Sequence, residues 1–252
     1  MVSLLTKFAI PAYRDGNFSP KPLLPTPAQT SKREPPEAGR IMNHTTLSNI
    51  DDLIEVLVAS GQERRSITAI AGAPGSGKST IAETLAERLD AISPGSAAVF
   101  PMDGYHYDDA VLSARGHRHR KGAPFTFDVA GFGHMLARLR ENSENEVAVP
   151  VFDRSLEISR NAARIIPKSV RYLIVEGNYL LLNQSPWSDL RVHYDTSVFL
   201  EVPEDVLQAR LLLRWKDLKG EALRAKMNEN DLPNALLVAR DSGGWDYVLK
   251  NC

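Results

Sequence analysis

The run Gly72-Ala-Pro-Gly-Ser-Gly77-Lys78-Ser79, followed by Thr80, sets glycine, four residues, glycine, lysine and a hydroxyl in order. Those residue types at that spacing suit the binding of a polyphosphate. Glycines let the backbone curl so that consecutive N–H groups point at phosphate oxygens. A lysine at the end of the run reaches the outer phosphates, and a serine hydroxyl supplies an oxygen ligand for Mg²⁺. Gly72, Ala73, Pro74, Gly75, Ser76, Gly77, Lys78, Ser79 and Thr80 are therefore the candidate nucleotide-binding residues, with ATP and Mg²⁺ as expected cofactors. A Gly-rich turn that binds nothing is the competing reading. The apolar strand-like residues before the run and the helical spacing after it argue against that.

Two carboxylates occupy matching places downstream. Asp103, in Pro101-Met-Asp-Gly-Tyr-His-Tyr107, follows a strand-like segment. A carboxylate there would face the outer phosphate, where it can take the proton of an acceptor hydroxyl or help hold Mg²⁺; a turn or cap aspartate is the alternative. Glu176 follows the most apolar segment of the chain, in Glu176-Gly-Asn-Tyr179. An acid just after a central strand is a usual Mg²⁺ or water ligand beside such a loop; a solvated strand-end acid is the alternative.

These groups need elements to hold them. Residues 66–71, 97–102, 147–152, 170–175 and 197–202 read as strands, with 247–249 as a last short one. Helical spacing covers 49–60, 78–89, 128–142 and about 203–219, with short helices near 221–228 and 232–239. Residues 103–124 are polar and irregular. Strands alternating with helices imply crossovers, hence an α/β fold of three αβα layers with a mostly parallel sheet. Ligands in such folds sit at the carboxyl ends of the strands. The phosphate loop alone does not separate kinases, ATPases and GTPases. No Asn-Lys-x-Asp and no Leu-Ser-Gly-Gly-Gln occurs, so the guanine-specific and transporter-type readings fall away.

The P-loop, Met102-Asp-Gly-Tyr105, Arg120-Lys-Gly-Ala-Pro124 with Phe127-Asp128, Phe152-Asp-Arg154, Glu176-Gly-Asn178 and Arg210-x-x-x-Arg214 together resemble the phosphoribulokinase, uridine kinase and bacterial pantothenate kinase superfamily over residues 67–249. The Lys-Gly-Ala-Pro segment resembles the pantothenate kinase version. The acceptor region departs from it, and looks more like a bacterial group of sugar-associated, fructokinase-like kinases. The resemblance implies a P-loop fold with a helical lid and transfer of the ATP γ-phosphoryl group to an alcohol of a small metabolite. It implies Asp103 as catalytic base, Glu176 in the metal region with Ser79, and Arg210 and Arg214 closing on the transferring phosphate beside Lys78. Arg210 and Arg214 stand four residues apart on a helix and so face one side; a solvated face paired with acids such as Asp217 is the alternative. Tyr105, Arg120, Lys121, Asp153 and Arg154 are the candidate acceptor-binding residues. Gly116-His-Arg-His-Arg-Lys121 can grip an anionic acceptor or serve as a solvated loop, and its histidines lack the companions of a zinc site. A P-loop regulatory ATPase with no small-molecule acceptor is the rival class, and it needs no base at Asp103.

Composition bounds the rest. The 252 residues are 43% apolar and 24% charged, enough for one generous domain. Formal net charge is −1, so nothing gathers nucleic acid or an anionic membrane, and neither is an expected partner. A small-molecule acceptor is expected, and a homodimer is left open. The single cysteine, Cys252, excludes an intrachain disulfide and fits a reducing, cytoplasmic setting. Residues 1–46 hold Pro11, Pro20, Pro22, Pro25, Pro27, Pro35 and Pro36 without apolar periodicity, and read as a disordered leader ahead of a kinase domain over 47–252. Met42, at the edge of that leader, is a candidate alternative start.

Overall fold

Strand β1 (Thr45–Leu47) and helix α1 (Ile50–Ala59) are the first elements of the computed structural model, which describes residues 44–60 and 64–251. The leader up to residue 43, Met42 and Cys252 lie outside the described residues. Thr45 and Thr46, read as the end of the leader, belong to β1, which pairs with the last strand. Three residues are too few to show a period-two pattern. Asn49 caps α1 by accepting from the amides of Asp51 and Asp52, and Asp52 returns a bond to the Asn49 amide.

The order then runs β2 (Ser66–Gly72), α2 (Lys78–Ile92), β3 (Ala97–Pro101), α3 (Asp109–Ala114), α4 (Val129–Glu141), β4 (Glu146–Asp153), β5 (Ile158–Pro167), β6 (Tyr172–Gly177), β7 (Thr196–Glu201), α5 (Glu204–Arg214), α6 (Gly220–Arg224), α7 (Leu232–Asp241) and β8 (Tyr247–Lys250). Six strands form one sheet in the order β1-β8-β7-β2-β6-β3, with every described pairing parallel. β2 and β6 are central and buried on both faces, which is why they read as continuous apolar runs. Alternation sorts their side chains: Ile67, Ala69 and Ala71 pack toward α4, while Ile70 packs toward α1 and α2. Helices on both faces of the sheet make the three-layer αβα architecture.

The sequence-based reading differs from the structure at one sheet. Segment 147–152 is a strand, but it pairs antiparallel with β5 in a separate hairpin. β5 escaped notice because seven of its ten residues are exposed and its polar residues do not alternate cleanly. The segments at 221–228 and 232–239 join through a π-helical stretch, Ala225–Asp231, with Pro233 tolerated in the first turn of α7.

Arg65, just before β2, is 2% exposed and carries no carboxylate partner. Its Nε donates to the Val170 carbonyl at 2.8 Å, and its terminal nitrogens donate to Leu139 and Pro167 at 2.9 and 2.7 Å. This one guanidinium joins the end of α4, the end of β5 and the entry to β6. Arg65→Met is expected to lower unfolding free energy by on the order of 3 kcal/mol, because buried carbonyls lose their donors. Chemical denaturation reads this, and a loss below about 1 kcal/mol refutes it.

Candidate active site

β2 delivers the chain to Gly72 and α2 begins at Lys78. Between them Gly75 and Gly77 take φ of 82° and 86°, a region that favours glycine. A Cβ on Gly77 would lie 2.7 Å from the side-chain nitrogen of Asn251, which donates to the Ser76 carbonyl at 2.7 Å. The Ser76 amide turns back to the Ala73 carbonyl at 3.0 Å, and its buried hydroxyl has no partner. Gly77 caps α2 without a side chain, and no acid sits in the first turn. The leading amides of α2 and the positive end of its dipole are thus left for an anion. Thr80 is exposed on α2, away from the cleft.

The parallel register gathers the remaining chemistry. Ile70 on β2 pairs with Glu176 on β6, and Glu176 pairs with Pro101 on β3. The phosphate loop, Glu176 and Asp103 therefore leave neighbouring strand ends. Two strand spacings, roughly 10 Å, separate the loop from Asp103, which leaves room for a phosphoryl group and an acceptor oxygen. One cleft is lined by Pro74, Lys78, Ser79, Asp103, Glu176 and Arg214, with Lys121 and Arg154 at its far side.

Lys78 makes a single long bond, to the Ala73 carbonyl at 3.4 Å, so its ammonium is available to a ligand. Burial lowers its pKa, while Glu176 and Asp103 oppose that fall. Glu176 is 5% exposed and burial pushes its carboxyl up, against the pull of Lys78 and a bond from the Ser79 hydroxyl. For Asp103, burial pushes up, but His106, Arg154, Lys78 and Arg214 outweigh it and hold the carboxyl below the usual carboxylate range. Arg154 grips one Asp103 oxygen at 2.8 Å. The other oxygen has no protein partner among the described residues.

The hydroxyl of Ser79 and the carboxylate of Glu176 form an all-oxygen donor pair, the kind Mg²⁺ takes. Among the described residues no group of three His, Cys, Asp or Glu forms a closed cage. Such a pair fits a cation whose remaining ligands are nucleotide phosphates and water.

Besides Thr80, four candidates stand apart from this cleft. Arg210 lies on the same side of α5 as Arg214, but its guanidinium reaches the carbonyls of Ser76 and Asn251 at 3.4 Å, behind the phosphate loop. Tyr105 packs its ring against Phe100 and Phe132. Asp153 accepts from the Ser155 hydroxyl at 2.6 Å and the Ser155 and Leu156 amides at 3.0 and 3.2 Å, closing the β4–β5 turn. Arg120 faces a different hollow. The hairpin nevertheless serves the site, since Ser159 donates to the Gly104 carbonyl and Arg154 sits just past β4.

His106, Trp215 and Lys226 line the cleft without a signal in the sequence, whereas Asn230 and Asp231 read there either as polar groups near the adenine or lid or as a capped helix start. The ring of His106 lies 4.0 Å from Phe127 and 4.6 Å from Phe152, and its Nδ1 meets the Asp103 carbonyl at 2.8 Å. A carbonyl only accepts, so Nδ1 carries a proton. Burial lowers the His106 pKa, against the pull of the Asp103 carboxylate. Trp215 donates to Asp231 at 2.7 Å and has Lys226 over its ring at 4.6 Å. Asn230 donates to the Lys121 carbonyl at 2.7 Å, tying the π-helical stretch to the loop opposite. A π-bulge leaves no periodicity to read, which hid Lys226.

The profile of the Phosphoribulokinase / Uridine kinase family matches residues 67–230. A Schizosaccharomyces pombe protein provisionally named uridine kinase C227.14 is 32% identical over 198 residues, covering 75% of this chain and 84% of that one. The Escherichia coli protein called "Uncharacterized protein YggC" is 34% identical over 202 residues, covering 79% and 83%. A crystal structure from Silicibacter sp. TM1040, of a protein provisionally assigned as a fructose transport system kinase, superposes with a TM-score of 0.74 at 38% identity, covering 80% of this chain and 99% of that one.

Proposed function

Because this chain belongs to the phosphoribulokinase/uridine kinase family, we propose that its cleft moves the γ-phosphoryl group of ATP to a hydroxyl of a sugar, nucleoside or pantothenate-like acceptor. The protein is an ATP-dependent small-molecule kinase. The observation that carries the reading is the meeting of Lys78, Ser79, Asp103, Glu176, Arg154 and Arg214 in one cleft at the carboxyl ends of β2, β6 and β3. A regulatory ATPase has no use for the polar far wall or for a carboxylate paired with an arginine there.

The geometry supports a role for each of these residues. The amides of the phosphate loop and the Lys78 ammonium hold the triphosphate. Ser79 and Glu176 would hold Mg²⁺, which would supply charge compensation for the phosphates. Asp103 orients the acceptor hydroxyl through its free oxygen and takes the proton as the new O–P bond forms and the bond to the ADP oxygen breaks. In a loose transition state the attacking oxygen gains little charge until late, so a carboxylate of low pKa suffices. Arg154 holds Asp103 in place, and Arg214 meets the charge on the transferring oxygens. Arg210 and Asn251 brace the phosphate loop from behind.

Asp103 must be deprotonated to act, and its neighbours hold its pKa low. With nucleotide saturating, kcat/KM for the acceptor is expected to stay flat as pH falls to the ordinary carboxylate range, and to drop only below it. Arg154→Met removes one of those cations, so the acid limb moves to higher pH. A limb at the same pH in both proteins rules out this coupling.

The function itself is tested by ADP release from Mg-ATP against pantothenate, uridine, ribulose 5-phosphate, glycerate, fructose and other sugars. Strong stimulation by one compound supports the kinase reading and names the acceptor class. Slow release indifferent to every compound favours the ATPase.

A further inference from the structure

Arg120, a candidate for acceptor binding by sequence, faces a second hollow of about 650 Å³ on the other side of Phe127. Its walls are mainly apolar and aromatic: Phe125, Phe127, Val129, Leu182, Trp187 and Leu237. The volume falls within the roughly 300–1,000 Å³ typical of small-molecule sites. Water gains little against such walls, whereas an apolar body gains contacts.

One group breaks the apolar pattern. The Arg120 Nε is buried with no hydrogen-bond partner. Among the described residues its guanidinium makes no ion pair and no hydrogen bond, and it lies over the Phe125 ring at 6.0 Å. A partly buried cation without a counter-charge is costly, and an anion laid against it removes that cost. Asp241, the other charge at the cavity, does not fill this role, since Arg240 holds both of its oxygens at 2.7 and 2.9 Å. Phe127 and Asn234 line both this cavity and the catalytic cleft.

We propose that this cavity binds a small apolar anion, an aromatic or short aliphatic body bearing one acidic head that pairs with Arg120. The site is separate from the phosphate loop and takes no nucleotide. Its ligand touches two residues that also bound the catalytic cleft.

The full-length protein, held at saturating ADP so that the nucleotide site is filled, is titrated with 8-anilinonaphthalene-1-sulfonate, an aromatic anion. A saturable one-to-one rise in fluorescence is expected. Leu237→Trp fills the cavity and abolishes the rise, and Arg120→Met weakens it about tenfold, as the loss of one charge-assisted bond implies. Phenylacetate displaces the dye, and the neutral phenylacetamide does so about tenfold less well. The acid and amide are compared on the wild-type protein, so this arm holds even where a variant folds poorly. Dye binding that does not saturate, that survives Leu237→Trp in a folded variant, or that is indifferent to the charge of the competitor overturns the proposal.

Discussion

Replacing Asp103 by asparagine is expected to leave Mg-ATP binding intact while acceptor phosphorylation falls by about 10³-fold, within the range for loss of a positioned base. The substitution keeps shape and still offers an oxygen to Arg154, which holds the wild-type carboxylate at 2.8 Å. What it removes is a proton acceptor and a negative charge. That charge raises the Lys78 pKa but also repels the phosphates, so its loss relieves a repulsion while it lets the lysine pKa fall, and the two effects on ATP binding oppose each other. The loss should appear in kcat, with the acceptor KM changed little, because the missing interaction is one made as the proton moves. Calorimetric titration with a non-hydrolysable ATP analogue and coupled ADP release separate the two effects. Transfer at the wild-type rate would remove Asp103 as the base. Equal losses in ATP affinity and transfer would make it a structural residue instead.

Lys78→Ala is expected to cost roughly 10³-fold in turnover with no fall in melting temperature, since a preorganised charge at the transferring group is typically worth 10²–10³. The stability half of this prediction rests on what Lys78 does in the empty cleft. Its one side-chain hydrogen bond among the described residues is the 3.4 Å bond to the Ala73 carbonyl. Burial lowers its pKa, so the charged form is less favoured in the folded chain than in water. A lysine whose folded pKa lies below its unfolded value detracts from stability at neutral pH, so removing it relieves a strain. The opposing effect is on Glu176, which loses its nearest cation and is pushed further up in pKa. Thermal melting by circular dichroism and ADP release check the two halves. Near-normal turnover refutes the assignment of Lys78 to phosphate binding.

The divide between what sequence showed and what it hid follows the range of each interaction. The phosphate loop was legible because it is local: glycines at φ of 82° and 86°, a lysine and a hydroxyl must follow one another on one turn. Central strands β2, β6 and β7 were legible because burial on both faces demands continuous apolar residues, and α1 because its Asn49 cap sits next to its apolar face. The hairpin partner β5 was not legible, because its residues face water and its pairing is made across the turn that Asp153 closes. Residues 210 and 214 share one helix side, but only docking decides that Arg214 enters the cleft while Arg210 reaches behind Ser76. Tyr105 and Arg120 sit in motifs beside the site, yet one packs against Phe100 and Phe132 and the other turns to a separate cavity.

By itself the sequence determined the fold class and the glycine-rich turn between β2 and α2, since both are written in short-range patterns of residue type. The tertiary structure alone decided which charges meet at that loop. The parallel register brings Glu176 and Asp103 beside it from residues about 100 and 25 positions away. The π-helical turn sets Lys226 and Asn230 opposite, and the hairpin supplies Arg154. Contacts between segments far apart in the chain depend on packing geometry, which no local pattern encodes.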